Sequence, residues 1–180
     1  MSQDDCHPES SEFIPSEDST YTIQKVDGPA SGWYLTADSE KRNKNSEYVH
    51  THNSEGGDEG ESWKILKTMY KKNICYKIES ISGRNEGRLL VVHGSITSEG
   101  DGRVLIHKTP YNRDEDECWN IEAVREDGET LYQLKKAAGR HVGKYMVAIN
   151  RNPKKSTQIW ADVTDREDAM NDSLWRITEN

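Results

Sequence analysis

The chain has few of the residues that build large apolar cores or covalent frameworks. Its 180 residues include one Phe, three Cys and five Pro, and only 32% are hydrophobic, with a mean hydropathy of −0.99. No apolar run approaches the ~18 residues of a membrane-spanning helix, and none near the amino terminus resembles a signal sequence. The sequence therefore predicts a soluble, cytoplasmic protein without a membrane span.

Signatures of catalysis and of metal binding are also missing. Cys6, Cys75 and Cys118 are odd in number and lack a short ligand spacing, which argues against a disulfide framework and favours reduced thiols. There is no phosphate-binding glycine loop, nucleophile elbow or catalytic histidine signature. His50 and His52 supply half a metal site, but no third ligand is recognisable. We expect no enzyme activity, cofactor or metal.

The net charge of −8 is unevenly distributed. Residues 1–18 hold six of the 32 acidic residues and none of the 24 basic ones, which leaves 26 acids against 24 bases in the remainder. Without a basic excess to neutralise phosphates, nucleic acid is not an expected partner. We predict that residues 1–18 form a disordered acidic tail and that residues 19–180 form one folded domain.

Aromatic residues recur with a fixed spacing. Trp63, Trp119 and Trp175 are equally spaced along the chain, and each is followed by Ile two positions later. A Tyr-x-Ile or Tyr-x-Leu stretch opens each interval, at Tyr21, Tyr76 and Tyr132. Short alternating stretches of this kind are typical of strands.

Two further strands complete each interval. A glycine opens the second strand, at Gly32, Gly87 and Gly143, and turn glycines commonly precede strands. A third strand is predicted around Tyr48, Val104 and Trp160. The chain thus divides into three four-stranded repeats, at about 19–68, 69–125 and 126–180.

This repeat architecture predicts an all-β fold. One repeat cannot bury its apolar face alone, and three repeats are too few for a propeller of at least ~4 blades. Three equivalent units of four short strands suit a closed six-stranded barrel capped by a hairpin triplet, which is the β-trefoil. Closure also removes exposed sheet edges.

Trp33 departs from the threefold pattern. Its equivalents in the other repeats are Arg88 and Lys144, which are normally solvated. We therefore expect Trp33 to be exposed along at least one edge, and exposed aromatic side chains often mark contact surfaces.

The motifs after residue 18 resemble those of fungal-type β-trefoil proteins. The Tyr-x-Ile opening, the turn and strand at Gly32-Trp-Tyr-Leu35, and the closing Trp-x-Ile are similar to mycocypin-like peptidase inhibitors and, more distantly, to ricin-B-type lectins. The stretch GWYLTA at 32–37 is also similar to fascin-like trefoils. The resemblance implies a binding protein that acts through its loops.

A cytosolic peptidase inhibitor acting by loop insertion is the function that we expect from this resemblance. It implies that cysteine peptidases would be contacted by the first and third loops of repeat one, where glycines let the chain lie flat in a cleft. Those residues are Asp27, Gly28, Pro29, Gly32, Trp33, Gly56 and Gly57. A trypsin-like serine peptidase would instead accept one exposed residue from the charged loop 38–46 or from repeat two. The candidates are Lys41, Arg42, Asn43, Arg84 and Asn85.

A glycan is the alternative partner, and a fascin-like protein interaction is the third. Ricin-B-type lectins carry an Asp directly after the Leu of the second strand and close each repeat with Gln-x-Trp. Here the residues after that position are Thr36, Val91 and Val147, and the closing motifs begin with Glu61, Glu117 and Ser173. A glycan site in this chain would therefore be of another type.

Overall fold

The computed structural model describes residues 12–37, 41–43, 46–53, 60–96, 102–107, 114–149, 158–165 and 172–180. These residues form antiparallel strands joined by turns and short 3-10 segments. The strands are β1 (Tyr21–Lys25), β2 (Tyr34–Thr36), β3 (Lys41–Asn43), β4 (Ser46–Tyr48), β5 (His50–His52), β6 (Trp63–Tyr70), β7 (Asn73–Ser80), β8 (Leu89–Ile96), β9 (Gly102–His107), β10 (Trp119–Glu126), β11 (Glu129–Lys136), β12 (Tyr145–Ile149), β13 (Gln158–Thr164) and β14 (Leu174–Glu179).

Six of these strands close into a barrel. The ring runs β1–β6–β7–β10–β11–β14 and returns to β1, and every pair is antiparallel. Side chains alternate between the barrel interior and the outside, as strand geometry requires. Hairpins built from β2 and β5, β8 and β9, and β12 and β13 cap one end. The predicted β-trefoil is confirmed.

Three fully buried tryptophans join the barrel to its cap. In each repeat the indole Nε1–H donates to a backbone carbonyl of that repeat's second strand, so that each of these buried donors is satisfied. The bonds are 3.1 Å from Trp63 to Leu35, 3.0 Å from Trp119 to Leu90 and 3.0 Å from Trp175 to Met146. The equal spacing of the tryptophans therefore reflects one packing arrangement that is built three times.

The third strands of the three repeats are aligned with one another one residue differently from the sequence prediction. Val104 lies opposite Val49 and not Tyr48, because the Val49 N–H donates to the Val104 carbonyl at 3.3 Å and its carbonyl accepts from the Ala161 N–H at 3.0 Å. Val49, Val104 and Ala161 are all fully buried, whereas Tyr48 is half-buried. A shift of one residue reverses the face of every side chain in a strand. The spacing in the sequence did not reveal the shift because the loops before these strands differ in length.

The charged segment 38–46 is not simply a loop. Its described residues form β3, which pairs with β4, and β4 in turn pairs with β9. Backbone hydrogen bonding to β9 extends the sheet into this segment, and the absence of Gly and Pro from it leaves every backbone N–H available for pairing.

Phe13 fills the open end of the barrel, opposite the cap. Its ring meets the rings of Tyr21, Tyr76 and Tyr132 edge-on, with centroids 5.9, 6.0 and 5.2 Å away. The Tyr76 hydroxyl donates to the Phe13 carbonyl at 2.7 Å. These three tyrosines are equivalent in the repeats, so Phe13 lies where the threefold axis leaves the barrel. The core therefore includes a residue of the segment 1–18, which the sequence assigns to a tail.

Replacing Phe13 with Ala should lower the free energy of unfolding by about 3 kcal/mol, because it empties a site lined by three aromatic rings. Urea unfolding followed by tryptophan fluorescence measures this change. Val142→Ala is the control, since Val142 is 61% exposed and its truncation should cost less than ~0.5 kcal/mol. Equal effects of the two substitutions would contradict the assignment of Phe13 to the core.

Candidate functional site

The first loop of each repeat has the same hydrogen-bonded frame. In repeat one, the Gly32 N–H donates to the Lys25 carbonyl at 2.8 Å, and the Lys25 N–H donates to the Trp33 carbonyl at 2.8 Å. The same two bonds join Ser80 with Gly87 and Arg88, and Lys136 with Gly143 and Lys144. These loops are rigid turns, so residues that differ between them are presented on a common scaffold.

Gly28 is required where the first loop meets the end of the chain. Its φ of 68° is in the left-handed region, where a side chain is strained. A Cβ there would also lie 2.7 Å from Cγ of Asp172. The close approach holds the Asp172 carboxylate against the turn.

Trp33 lies on a base of small residues beside this loop. Its ring is half-buried and packs against Ala30 of the loop and Ala148 of β12. The Trp33 N–H donates to the Ala30 carbonyl at 2.9 Å, which fixes the backbone that carries the ring. The remaining part of the indole is accessible, as its unique place in the repeat predicts.

A buried lysine supports the loop from below. Lys25 Nζ contacts the Asp27 carboxylate and donates to the Leu174 carbonyl at 3.1 Å, and it lies 5.2 Å from the centroid of the Trp175 ring. Burial lowers the pKa of Lys25 to about 7, although the Asp172 carboxylate acts in the opposite direction. Burial therefore disfavours the charged form of Lys25, and the carboxylates of Asp27 and Asp172 lie close enough to interact with that charge.

A row of polar side chains borders the loop on its other side. Gln24 Nε2 donates to the Gly32 carbonyl at 2.9 Å, and Gln24 Oε1 accepts from Arg176 Nη1 at 2.9 Å. Arg176 also makes a two-pronged ion pair with Glu129, at 2.6 and 2.9 Å. The hydrogen-bonding groups of this row are held in place by one another, next to the residue that precedes Trp33.

The predicted peptidase-contact residues are only partly brought together. Gly28, Pro29 and Gly32 are exposed, and the Asp27 side chain is 22% exposed. The loop is a compact turn containing a 3-10 segment at Gly28–Ala30, and not an extended chain. Gly56 and Gly57 lie outside the described residues.

Of the candidates for a trypsin-like partner, Arg84 is exposed, whereas Asn85 is not available. Asn85 is 1% exposed and its amide Nδ2 donates to the Ala37 carbonyl. The prediction for Asn85 is wrong because a polar loop residue was assumed to face solvent, whereas this amide bonds to the backbone at the end of β2. Lys41, Arg42 and Asn43 form β3, and their side chains lie outside the description.

Sequence reasoning missed Asp172, Lys25 and Ala148. Asp172 precedes Trp175 by three residues, just as Asp116 precedes Trp119, and Lys25 occupies the position of Lys136. Lys136 is equally buried, and its Nζ donates to the carbonyls of Asp116 and Cys118, both at 2.8 Å. Aligning the three repeats shows that Asp172 and Lys25 recur as Asp116 and Lys136, and this recurrence could have identified them.

Within the part of the chain that the structure covers, no group of three or more His, Cys, Asp or Glu side chains is arranged to hold a metal ion. No helix in that part is long and apolar enough to cross a membrane. His50 is buried, and this burial together with neighbouring His52 lowers its pKa to about 4.

Comparison with known proteins identifies the fold. No protein-family model matches the chain, and no curated protein is significantly similar in sequence. The chain is a β-trefoil. Its structure is similar to that of BEL beta-trefoil in an apo crystal form, with a TM-score of 0.61, 14% identity, and 95% of this chain and 99% of that chain covered.

Two other structural relatives have similar scores. A salivary protein of the Cysteine and Tryptophan-Rich family from Culex quinquefasciatus has a TM-score of 0.62 and 13% identity, and the match covers 92% of this chain and 99% of that chain. The SDF2-like protein from Arabidopsis thaliana has a TM-score of 0.64 and 13% identity, with 89% and 92% covered. Identities this low establish the architecture and nothing more.

The stability of the protein should rise between pH 7 and pH 8.5 because of Lys25. Its pKa is about 7 in the folded state and 10.5 when solvated, so in this interval the unfolded chain holds a proton that the folded chain has released. Raising the pH therefore disfavours the unfolded state. In Lys25→Met the rise should be smaller by about 1 kcal/mol per pH unit. Urea unfolding across this range measures the slope.

Lys135→Met is the matched control for this measurement. The pKa of Lys135 is raised, mainly by its hydrogen bond to Tyr145, so its contribution is constant below pH 10. Burial also lowers the pKa of Lys136 to about 8 and raises that of the Cys118 thiol from 9.0 to about 12, so Lys136 adds to the rise and Cys118 opposes it as the pH approaches 9. Both groups are present in the wild type and in Lys25→Met, so the difference between the two slopes isolates Lys25. An unchanged slope in Lys25→Met would show that Lys25 is not the titrating group.

Proposed function

We propose that this protein binds carbohydrate, and that Trp33 is the side chain on which a sugar ring stacks. The proposal rests on one observation: a half-buried indole with an accessible edge occupies a loop position that holds Arg88 and Lys144 in the other repeats. The backbone of that loop follows the threefold frame. The aromatic ring is therefore an addition to the fold and not a requirement of it.

The surroundings of Trp33 suit a sugar. One face of a pyranose carries C–H groups, which favour an apolar aromatic surface, and its rim carries hydroxyls that need directed donors and acceptors. Ala30 and Ala148 hold the ring in place, so little conformational entropy is lost on binding. The bordering row supplies the carboxamide of Gln24 and the guanidinium of Arg176.

The same reasoning gives the number of sites. The first loops of repeats two and three carry Arg88 and Lys144 in place of the indole, on an identical hydrogen-bonded frame. A stacking site therefore exists in repeat one alone among the three first loops. We propose one glycan per chain.

A glycan array followed by titration of the strongest binder tests this function. Trp33→Arg should weaken binding by roughly 30-fold, the effect of losing a central aromatic contact of about 2 kcal/mol. The substitution introduces the residue that the equivalent loop already accommodates at Arg88, so the fold should be retained. Circular dichroism and thermal unfolding verify that it is.

Two results would count against carbohydrate binding. The first is an array without a specific binder. The second is a binder whose affinity is unchanged in Trp33→Arg, which would place the site elsewhere on the molecule. Lys144→Trp provides the complementary variant, since it offers a second indole on the same frame and should leave the first site unaffected.

A second candidate function, inhibition of a trypsin-like peptidase, is favoured by Arg84. This exposed residue lies in the 3-10 segment Gly83–Asn85. The two ends of the loop are joined by hydrogen bonds of Ser80 with Gly87 and Arg88. A basic side chain on a rigid turn suits the acidic specificity pocket of such enzymes. A cysteine peptidase would instead contact Gly28 and Pro29, which are exposed on the compact turn.

Titration against trypsin and papain separates these possibilities. If Arg84 enters the pocket, the protein inhibits trypsin and Arg84→Ala loses at least roughly 30-fold in affinity. Arg140→Ala is the control, since Arg140 is the exposed equivalent in repeat three and should have no effect. Absence of inhibition of both enzymes at micromolar protein would exclude this candidate for these two classes of peptidase.

A further inference from the structure

Exposed apolar side chains are concentrated at the open end of the barrel. Among the described residues, three of the four large hydrophobic side chains that face solvent are Ile14 at 78%, Met69 at 68% and Ile74 at 50% exposure. Ile14 follows the buried Phe13, and Met69 pairs with Ile74 across the β6–β7 hairpin. Ile74 shares a strand face with Tyr76, which contacts Phe13. These three residues are called the barrel-end patch.

Two hairpins of opposite charge flank this patch. The β6–β7 hairpin turns at Lys71–Lys72, and the β10–β11 hairpin turns at Asp127–Gly128, directly after Glu126. Lys71 and Asp127 are separated by the same interval as the repeated tryptophans, and their φ values are 47° and 49°. They therefore occupy the same position in equivalent turns, at the same end of the barrel, and carry opposite charges.

The Lys71–Lys72 turn has the less favourable sequence of the two. Both lysines have positive φ, a conformation that costs long side chains of order 1 kcal/mol each, whereas Asp-Gly is a preferred pair for such a turn. The molecule accommodates Asp-Gly at the equivalent place. Lys71 Nζ lies 5.2 Å from the centroid of the Tyr70 ring, and the backbone of the turn does not itself require either lysine.

We propose that the open end of the barrel is the interface of a symmetric dimer of this chain. A two-fold axis perpendicular to the barrel and passing between the two hairpins would place each Lys71–Lys72 turn over the Glu126–Asp127 side of its partner. The third corner, where the Asn180 N–H bonds to the Thr20 carbonyl, would face its own copy. It carries the exposed Glu179, so like charges would face each other at this corner, whereas opposite charges meet at the other two. The barrel-end patch would be covered at the centre, as an isologous contact requires.

Charge complementarity favours a second copy over other partners. A surface of uniform charge, such as an anionic membrane, would attract the lysine hairpin and repel the acidic hairpin beside it. A two-fold related copy presents the opposite sign to both hairpins at once. The exposed Lys67–Glu12 ion pair at 2.8 Å is already neutral and does not alter this balance.

Analytical ultracentrifugation of the full chain tests the association. We expect a monomer–dimer equilibrium at micromolar to submillimolar protein, with a dissociation constant that rises roughly tenfold from low to high salt as the hairpin charges are screened. A monomer at every concentration in low salt would overturn the proposal.

Exchange of the two turns provides a sharper test. Lys71→Asp with Lys72→Gly gives both hairpins the acidic turn, and Asp127→Lys with Gly128→Lys gives both the basic one. Each variant uses a turn that the fold already accommodates. Each alone should associate at least roughly 30-fold more weakly, whereas an equimolar mixture should form heterodimers of wild-type affinity.

The mixture distinguishes the dimer from its alternatives. A mixture that stays monomeric would overturn the proposed pairing of hairpins. Co-sedimentation with vesicles of anionic lipid that is lost in the acidic variant would assign the lysine hairpin to a membrane surface instead. Glycan affinity per chain should be unchanged in both variants, since the first loops lie at the opposite end of the barrel strands, so failure of the dimer and failure of the glycan site are separable.

Discussion

The indole N–H of each repeat's closing tryptophan, bonded to a carbonyl of that repeat's second strand, determines much of the structure. A buried indole must find an acceptor, and the acceptor here belongs to the hairpin that caps the barrel. Each bond therefore fixes the cap relative to the barrel as well as filling the core. The three tryptophans are the largest of the fully buried side chains, and satisfying their N–H groups allows so polar a sequence to bury them in its core.

Residues that are equivalent in all three repeats stabilise the fold. Residues that differ from their equivalents are not required by it and can have other roles. Tyr21, Tyr76 and Tyr132 are equivalent, and all three contact one ring. The first loops share their backbone bonds but differ in the side chains they present. Trp33 is one such difference, and the opposed charges of Lys71 and Asp127 are another. Departures from symmetry on a symmetric frame are therefore the places at which to look for function.

The architecture was predictable because it depends on spacing. The recurrence of Trp63, Trp119 and Trp175, with the tyrosines and glycines between them, specifies three equivalent units and leaves few folds available. Periodicity also predicted the exposed edge of Trp33, since an aromatic ring at a position suited to long cations must reach solvent.

The errors concern contacts that spacing does not encode. Asn85 was expected in solvent because amides usually are, yet it donates to a carbonyl of the neighbouring repeat. Phe13 was assigned to a tail because its sequence neighbours are acidic, although a single ring can be buried wherever three tyrosines leave room for it. Asp172 reaches Gly28 from the opposite end of the chain, and only closure of the barrel brings the two together.

Phe13 also makes one corner of the threefold barrel different from the other two. The three repeats close into a ring, in which β1 and β14 are adjacent and the Asn180 N–H bonds to the Thr20 carbonyl. The strand pairing alone would allow the chain to be opened at any of the three corners. One aromatic ring on a threefold axis cannot be shared equally, however, and the arm that carries it enters from a single corner. A circular permutation that opens another hairpin would preserve every strand pair, and because the arm stays attached to β1 it would still place Phe13 at the open end of the barrel; removing the arm would instead leave the three tyrosines around an empty site.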